Sequence, residues 1–214
     1  MAQDIAPKEY ARLPLLQEVT TTNGSKSREI VFYRPNAKQL FDSLAHTSVA
    51  KRIEEFVSIN ARAINGSDKP EPFKAGELAS GDVVEIIDLM TSLQNEADNI
   101  NLSEAEGDGV NAPIVYTLQH PIHLTPGKDD GDVIHQIQFE ARTLGELSEF
   151  LDAGGERQEF SLFMRLFGKL LGTTLPMTDA IINALDFVDY YAIRRKIMGK
   201  LVQSRERWKR ASIS

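Results

Sequence analysis

The chain has 214 residues, 42% hydrophobic and 26% charged, with a formal net charge of −7 at pH 7; that length allows one good core or two modest ones in a composition ordinary for a soluble globular protein. It contains no cysteine, which excludes disulfides, thiolate metal sites and a cysteine nucleophile. The opening MAQDIAPKEYARLP lacks the apolar core of a secretory signal, and no apolar run approaches the ~20 residues that a bilayer span needs.

Residues 1–13 read as a polar lead. LPLLQEVTTTNGSKSREIVFYRP then predicts two strands around Asn23-Gly24, a pair that tolerates positive φ, with Pro35 stopping the second strand. Asn36 can cap a helix from Ala37 that carries Leu40, Phe41 and Leu44 on one face. A second helix is expected over 49–64, with Val49, Ile53, Phe56, Val57, Ile59, Ala63 and Ile64 as its apolar stripe. Residues 65–77 hold Gly, Pro and charge and predict a loop. Ser80 and Asp82 open a helix running to about Glu96, and the acidic, Gly-containing stretch 98–112 reads as a linker.

The second half follows the same order. IVYTLQHPIHL and DVIHQIQFEA are strand-like, with Pro121 marking an edge strand or a bend in the first. Thr143 is a helix cap with Glu146 at the capping-box position. RQEFSLFMRLFGKLL reads as an amphipathic helix whose glycines suit close helix packing, and Thr178 and Asp179 open DAIINALDFVDYYAI.

The halves overlay. Phe32 on Phe139, Asn36 on Thr143, Leu40 on Leu147, Ile53 on Phe160, Phe56 on Phe163, Ile59 on Leu166 and Ile64 on Leu171 share an offset of 107 residues. For the last helix an offset of 98 sets Ser80 on Thr178, Ile87 on Leu185 and Asp88 on Asp186. The fold expected is α+β, in two tandem small units at 14–97 and 113–202. Each unit is a β-hairpin followed by about three helices, and a basic tail (203–214) closes the chain in a basic C-terminal helix. Two unrelated α+β halves with generic amphipathic helices are the alternative.

No strong catalytic signature is present: there is no Walker-type phosphate loop, no G-x-G-x-x-G and no G-x-S-x-G elbow. The histidines are His46, His120, His123 and His135; His123 and His135 could meet across a hairpin, but surface histidines are the simpler expectation. Asp88 and Asp186 lie inside apolar helical runs, where a local cap or pair is more usual than a catalytic carboxylate. No catalytic residue, metal or cofactor is therefore expected. Between Arg194 and Arg210 stand eight Lys or Arg against one Glu. Ile193, Ile197 and Leu201 recur there at helical spacing, flanked by Arg194 and Arg195, with Trp208 further on. Such a basic amphipathic segment can bind an acidic partner, a membrane surface or nucleic acid, or dock on its own acidic domain.

A family resemblance rests on the second half. YTLQHPIHL supplies Leu118, Pro121 and Ile122, and IHQIQFEARTLGELSEFLDAGG supplies Ile137, Phe139, Arg142, Thr143, Glu146 and Leu147. With the later MTDAIINALDFVDYYAIRRKIMGKL, this resembles the tail assembly chaperones of Mu-like contractile-tailed phages. The likeness covers residues 113–202, with a weaker echo in 14–95 at Arg34, Pro35 and Leu40. It implies a non-enzymatic protein that binds the phage tape measure protein and keeps it soluble until the tail tube polymerises around it. It also implies the host bacterial cytoplasm as location, absence from the mature virion, and the tail tube protein as a further partner. Apart from the resemblance, the charge asymmetry and apolar stripe of the last segment give Ile193, Arg194, Arg195, Ile197, Leu201 and Trp208 as the set that binds the partner or a second copy in a homo-oligomer, with no membrane and no nucleic acid expected. A structural tail or baseplate component, and a nucleic-acid-binding regulator acting through the basic tail, are the alternatives.

Overall fold

A computed structural model describes residues 8–65, 69–100, 103–104, 113–124, 133–140 and 154–198. The protein is α+β, with two antiparallel four-stranded sheets and, among the described residues, six α-helices. The chain divides into two compact units between Asn95 and Glu96.

In the first unit, β1 (Glu9–Thr20) and β2 (Lys26–Tyr33) form the hairpin, and β3 (Ala61–Ile64) and β4 (Pro70–Glu71) complete the sheet in the order β1-β2-β3-β4. Gly24, at φ 89, turns the chain, and the Asn23 side chain accepts the Ser25 amide at 3.0 Å. The expected polar lead is strand from Glu9 onward, with Ala11 opposite Phe32 and Leu13 opposite Ile30. Its charges made it look unstructured, yet an edge strand carries charge on its exposed face without loss.

Helices α1 (Ala37–Leu44) and α2 (Val49–Asn60) follow. Asn36 caps α1 as expected: its side chain accepts the Gln39 amide at 3.0 Å, and Gln39 Oε1 accepts the Asn36 amide at 2.8 Å. The second helix stops at Asn60, short of the expected 64, and Ala61–Ile64 becomes the third strand, opposite β2. ARAI is a short apolar run, and periodicity alone cannot separate such a strand from the end of a helix. After a 3₁₀ turn at Ala75–Glu77, α3 runs from Ser80 to Asp98.

The second unit holds β5 (Ser103–Glu104), β6 (Ile114–His123), β7 (Val133–Phe139) and β8 (Gly168–Leu170), in that order across the sheet. Ser103 and Glu104, expected within a linker, pair with Val115 and Ile114. Thr143 and Glu146 lie outside the described residues. α4 (Glu156–Phe167) ends where Gly168 starts β8, so LFGKLL is helix and then strand rather than one glycine-bearing helix. Gly168 is needed at that corner because a Cβ there would stand 2.6 Å from the Met164 carbonyl oxygen. α5 (Asp179–Ala184) is capped by Thr178, and the expected long helix breaks at Leu185, which is extended. Asp186 then caps α6 (Phe187–Ala192), which passes into a π-helical turn over Ile193–Met198.

The two sheets pair in one register. Phe32, Val31 and Ile30 oppose Ala61, Arg62 and Ala63, and residues 107 further on, Phe139, Gln138 and Ile137, oppose Gly168, Lys169 and Leu170. In both hairpins the pairing is interrupted near its middle, between Pro14 and Val19 and between Thr117 and Ile122. Phe32 packs against Phe56 at 5.9 Å between ring centroids, and Phe139 against Phe163 at 5.6 Å. Among the described residues no helix is long and apolar enough to cross a membrane.

Candidate functional site

In the second unit the interruption of β6 turns residues 119 and 120 toward the start of α6. Fully buried Asp189 sits in the first turn of α6. Its Oδ1 accepts the Tyr116 hydroxyl and the Gln119 amide, each at 2.8 Å, and its Oδ2 accepts the His120 amide at 3.1 Å. Burial raises the Asp189 carboxyl above its usual range, against the pull of those three donors. Burial likewise pushes the Tyr116 hydroxyl up, reinforced by the Asp189 charge, so it stays a proton donor.

Asp186, which caps α6 through the Val188 amide at 2.8 Å, brings a second carboxylate to the same place. His120 Nδ1 lies 3.5 Å from Asp186 Oδ1 and 3.8 Å from Asp189 Oδ2. That nitrogen is buried and has no hydrogen-bond partner. The three ligand-capable atoms lie within 4.8 Å of one another. An imidazole against two carboxylates can hold a proton or a metal ion between them.

The first unit fastens helix to strand in the same manner with fewer groups. Buried Asp82, in the first turn of α3, accepts the Leu16 amide at 2.8 Å through Oδ1 and the Ala79 amide at 3.1 Å through Oδ2. In the paired register Gln17 occupies the place of His120, and Ala79, 107 residues before Asp186, the place of that carboxylate. The Gln17 amide turns aside to the Glu77 carbonyl.

Other expected residues fall differently. Ile193 and Ile197 are not an exposed binding stripe: both are fully buried. Arg194 pairs with Glu156, which also accepts the Tyr190 hydroxyl at 2.8 Å. Arg195 pairs with Asp98 at 2.6 Å, and Lys196 Nζ donates to the carbonyls of Asp98 and Ile100. The described part of the basic segment is thus docked on its own unit, and an apolar stripe beside basic residues suits that core role as well as a partner. Leu201 and Trp208 lie outside the described residues. His123 faces Val133 across the hairpin, not His135, and both histidines are exposed. Asp88 is exposed along α3, so it is Asp82 that matches the surroundings of Asp189. The sequence signal for Asp82 and Asp189 was their own spacing of 107 residues, hidden by the change of offset assumed for the last helix.

Compared with protein-family models, curated proteins and solved structures, the chain matches none of them.

Proposed function

We propose that this chain is a binding protein without catalysis, built of two tandem copies of one hairpin-plus-helices module, and that it acts as a phage tail assembly chaperone. It holds the tape measure protein soluble in the host bacterial cytoplasm and leaves before the virion matures. The observation carrying this is the common register: pairs 107 residues apart repeat through β2-β3 and β7-β8. What the modules share is architectural, namely the Asp82 and Asp189 fastenings and the phenylalanine contacts; Gln17 and Ala79 stand where the second module has His120 and Asp186. A duplicated framework with no duplicated reactive constellation suits binding more than catalysis. Two linked modules raise effective concentration along an extended, repetitive partner, so weak contacts suffice and displacement by tail tube protein stays easy.

The resemblance at residues 113–202 supplies the identity of that partner. Arg194, Arg195 and Lys196 are engaged with Glu156, Asp98 and the Ile100 carbonyl, which weakens the case for a nucleic-acid regulator.

Co-expression with a long helix-rich tape measure protein, followed by pull-down of the full chain, is the test. Soluble co-purification of the two supports the chaperone. A tape measure that stays insoluble and uncaptured overturns it, and detection of the chain in purified particles by mass spectrometry points to a structural tail or baseplate component.

A further inference from the structure

We infer that His120 Nδ1, Asp186 Oδ1 and Asp189 Oδ2 form a site for one divalent transition-metal ion of the zinc class, against the sequence expectation of no metal.

Distance is the first ground. His120 Nδ1 stands 3.5 Å and 3.8 Å from the two carboxylate oxygens, beyond the usual reach of an N–H···O hydrogen bond. Ligands held ~2.0–2.2 Å from zinc at tetrahedral angles lie roughly 3.3–3.6 Å from one another. The 3.5 Å separation falls in that range and the 3.8 Å one just beyond it, and both are long for direct bonding, so the spacing suits groups that share an ion better than groups that bond directly.

Lone pairs are the second. Asp189 Oδ1 already accepts two donors, whereas Oδ2 accepts one and keeps a lone pair. His120 Nδ1 is buried and unpartnered. An orphaned buried nitrogen costs free energy unless something fills it. One imidazole and two carboxylates together suit zinc or its first-row neighbours. The His120 side chain is 35% exposed, so water can reach a remaining coordination position.

The first unit is the third ground, as a built-in control. It makes the same strand-to-helix fastening from Asp82 with Gln17 and Ala79 beside it. His120 and Asp186 are thus additions that the strand-to-helix fastening itself does not require, although Asp186 also caps α6 through the Val188 amide. A bound ion would clamp the interrupted part of β6 to the start of α6 in the second unit alone.

The experiment is zinc titration by calorimetry of the full chain after chelator treatment, with elemental analysis of the dialysed complex. One equivalent of zinc is expected, with affinity reduced roughly tenfold or more in His120→Gln and in Asp186→Ala, the residues that the first unit carries. Circular dichroism of the zinc-free variants should match the parent, which separates ligand loss from misfolding. His123→Ala with His135→Ala should bind like the parent. Absence of a stoichiometric site, or zinc binding undiminished when His120→Gln and Asp186→Ala are combined, overturns the assignment.

Discussion

Asp82 and Asp189 hold corresponding places in the two units: each is buried in the first turn of a helix, and each takes a β-strand amide on Oδ1 at 2.8 Å, from Leu16 and from Gln119. These carboxylates are the polar pins that fix a helix to the interrupted stretch of its hairpin. A buried donor left without its acceptor costs about 1–3 kcal/mol. Asp82→Ala should therefore lower the stability of the first unit by about 2–3 kcal/mol, and Asp189→Ala, which strands three donors, that of the second by more. Urea unfolding with residue-level hydrogen exchange checks this; loss of protection spread equally over both units would contradict it.

Tyr116→Phe keeps the ring in the core but takes one donor from the Asp189 carboxylate. Hydrogen bonds to charged groups contribute about 1.5–3 kcal/mol. A loss of that size is expected in the second unit's transition, and an unchanged midpoint would show that Gln119 and His120 hold Asp189 unaided.

Two glycine substitutions should part ways. At Gly168 a Cβ would meet the Met164 carbonyl at 2.6 Å, a backbone atom that cannot move aside, so Gly168→Ala should cost about 1–3 kcal/mol. At Gly81 the obstacle is Leu16 Cδ1, the end of a side chain that is 71% exposed and free to swing. Gly81→Ala should then lie between neutral and ~1 kcal/mol more stable, since alanine favours the helix. Thermal midpoints of the two variants decide the order.

Hydrogen bonding by Thr20, from side chain and backbone, holds the Glu77 carboxyl below its usual range. A carboxyl lowered in the folded state stabilises above its unfolded pKa, and that contribution fades as pH falls through the folded value. Glu77→Gln should be less stable than the parent at neutral pH, and the gap should close as acid protonates Glu77. A difference that does not vary with pH would contradict this.

Within the basic segment the apolar and charged residues should behave differently. Ile197 is fully buried, so Ile197→Ala should cost about 2–4 kcal/mol of folding stability. Arg195 is 61% exposed in its pair with Asp98, and Arg195→Ala should shift stability by no more than ~1 kcal/mol. Chemical denaturation of the two variants separates core from surface.

Local signals carried much of the fold. The Asn36 and Thr178 caps, the turn at Asn23-Gly24 and the strands EIVFY and IHQIQF are written in residues close along the chain, because caps and turns are short-range hydrogen bonds and strand patterns are runs of side-chain type. The offset of 107 residues was visible too, from Phe32 and Phe139 to Ile64 and Leu171, and was lost only at the last helix. Other features depended on partners distant in sequence. Ala61–Ile64 and Gly168–Leu170 are strands because β2 and β7 offer free edges to them, and nothing in either short run distinguishes it from the end of the helix before it. The fates of Ile193 and Ile197 could not be read locally, since an apolar stripe looks the same whether it meets a partner or its own core. The His120 cluster joins β6 to residues about 70 positions later, and a hydrogen bond over that separation leaves no periodic trace in the chain. The sequence by itself determined the helix starts at Asn36 and Thr178, the turn and the hairpins, whose causes are local. The third strands, the buried aspartate pins and the site at His120 were decided by the tertiary structure, which alone brings their remote partners within contact.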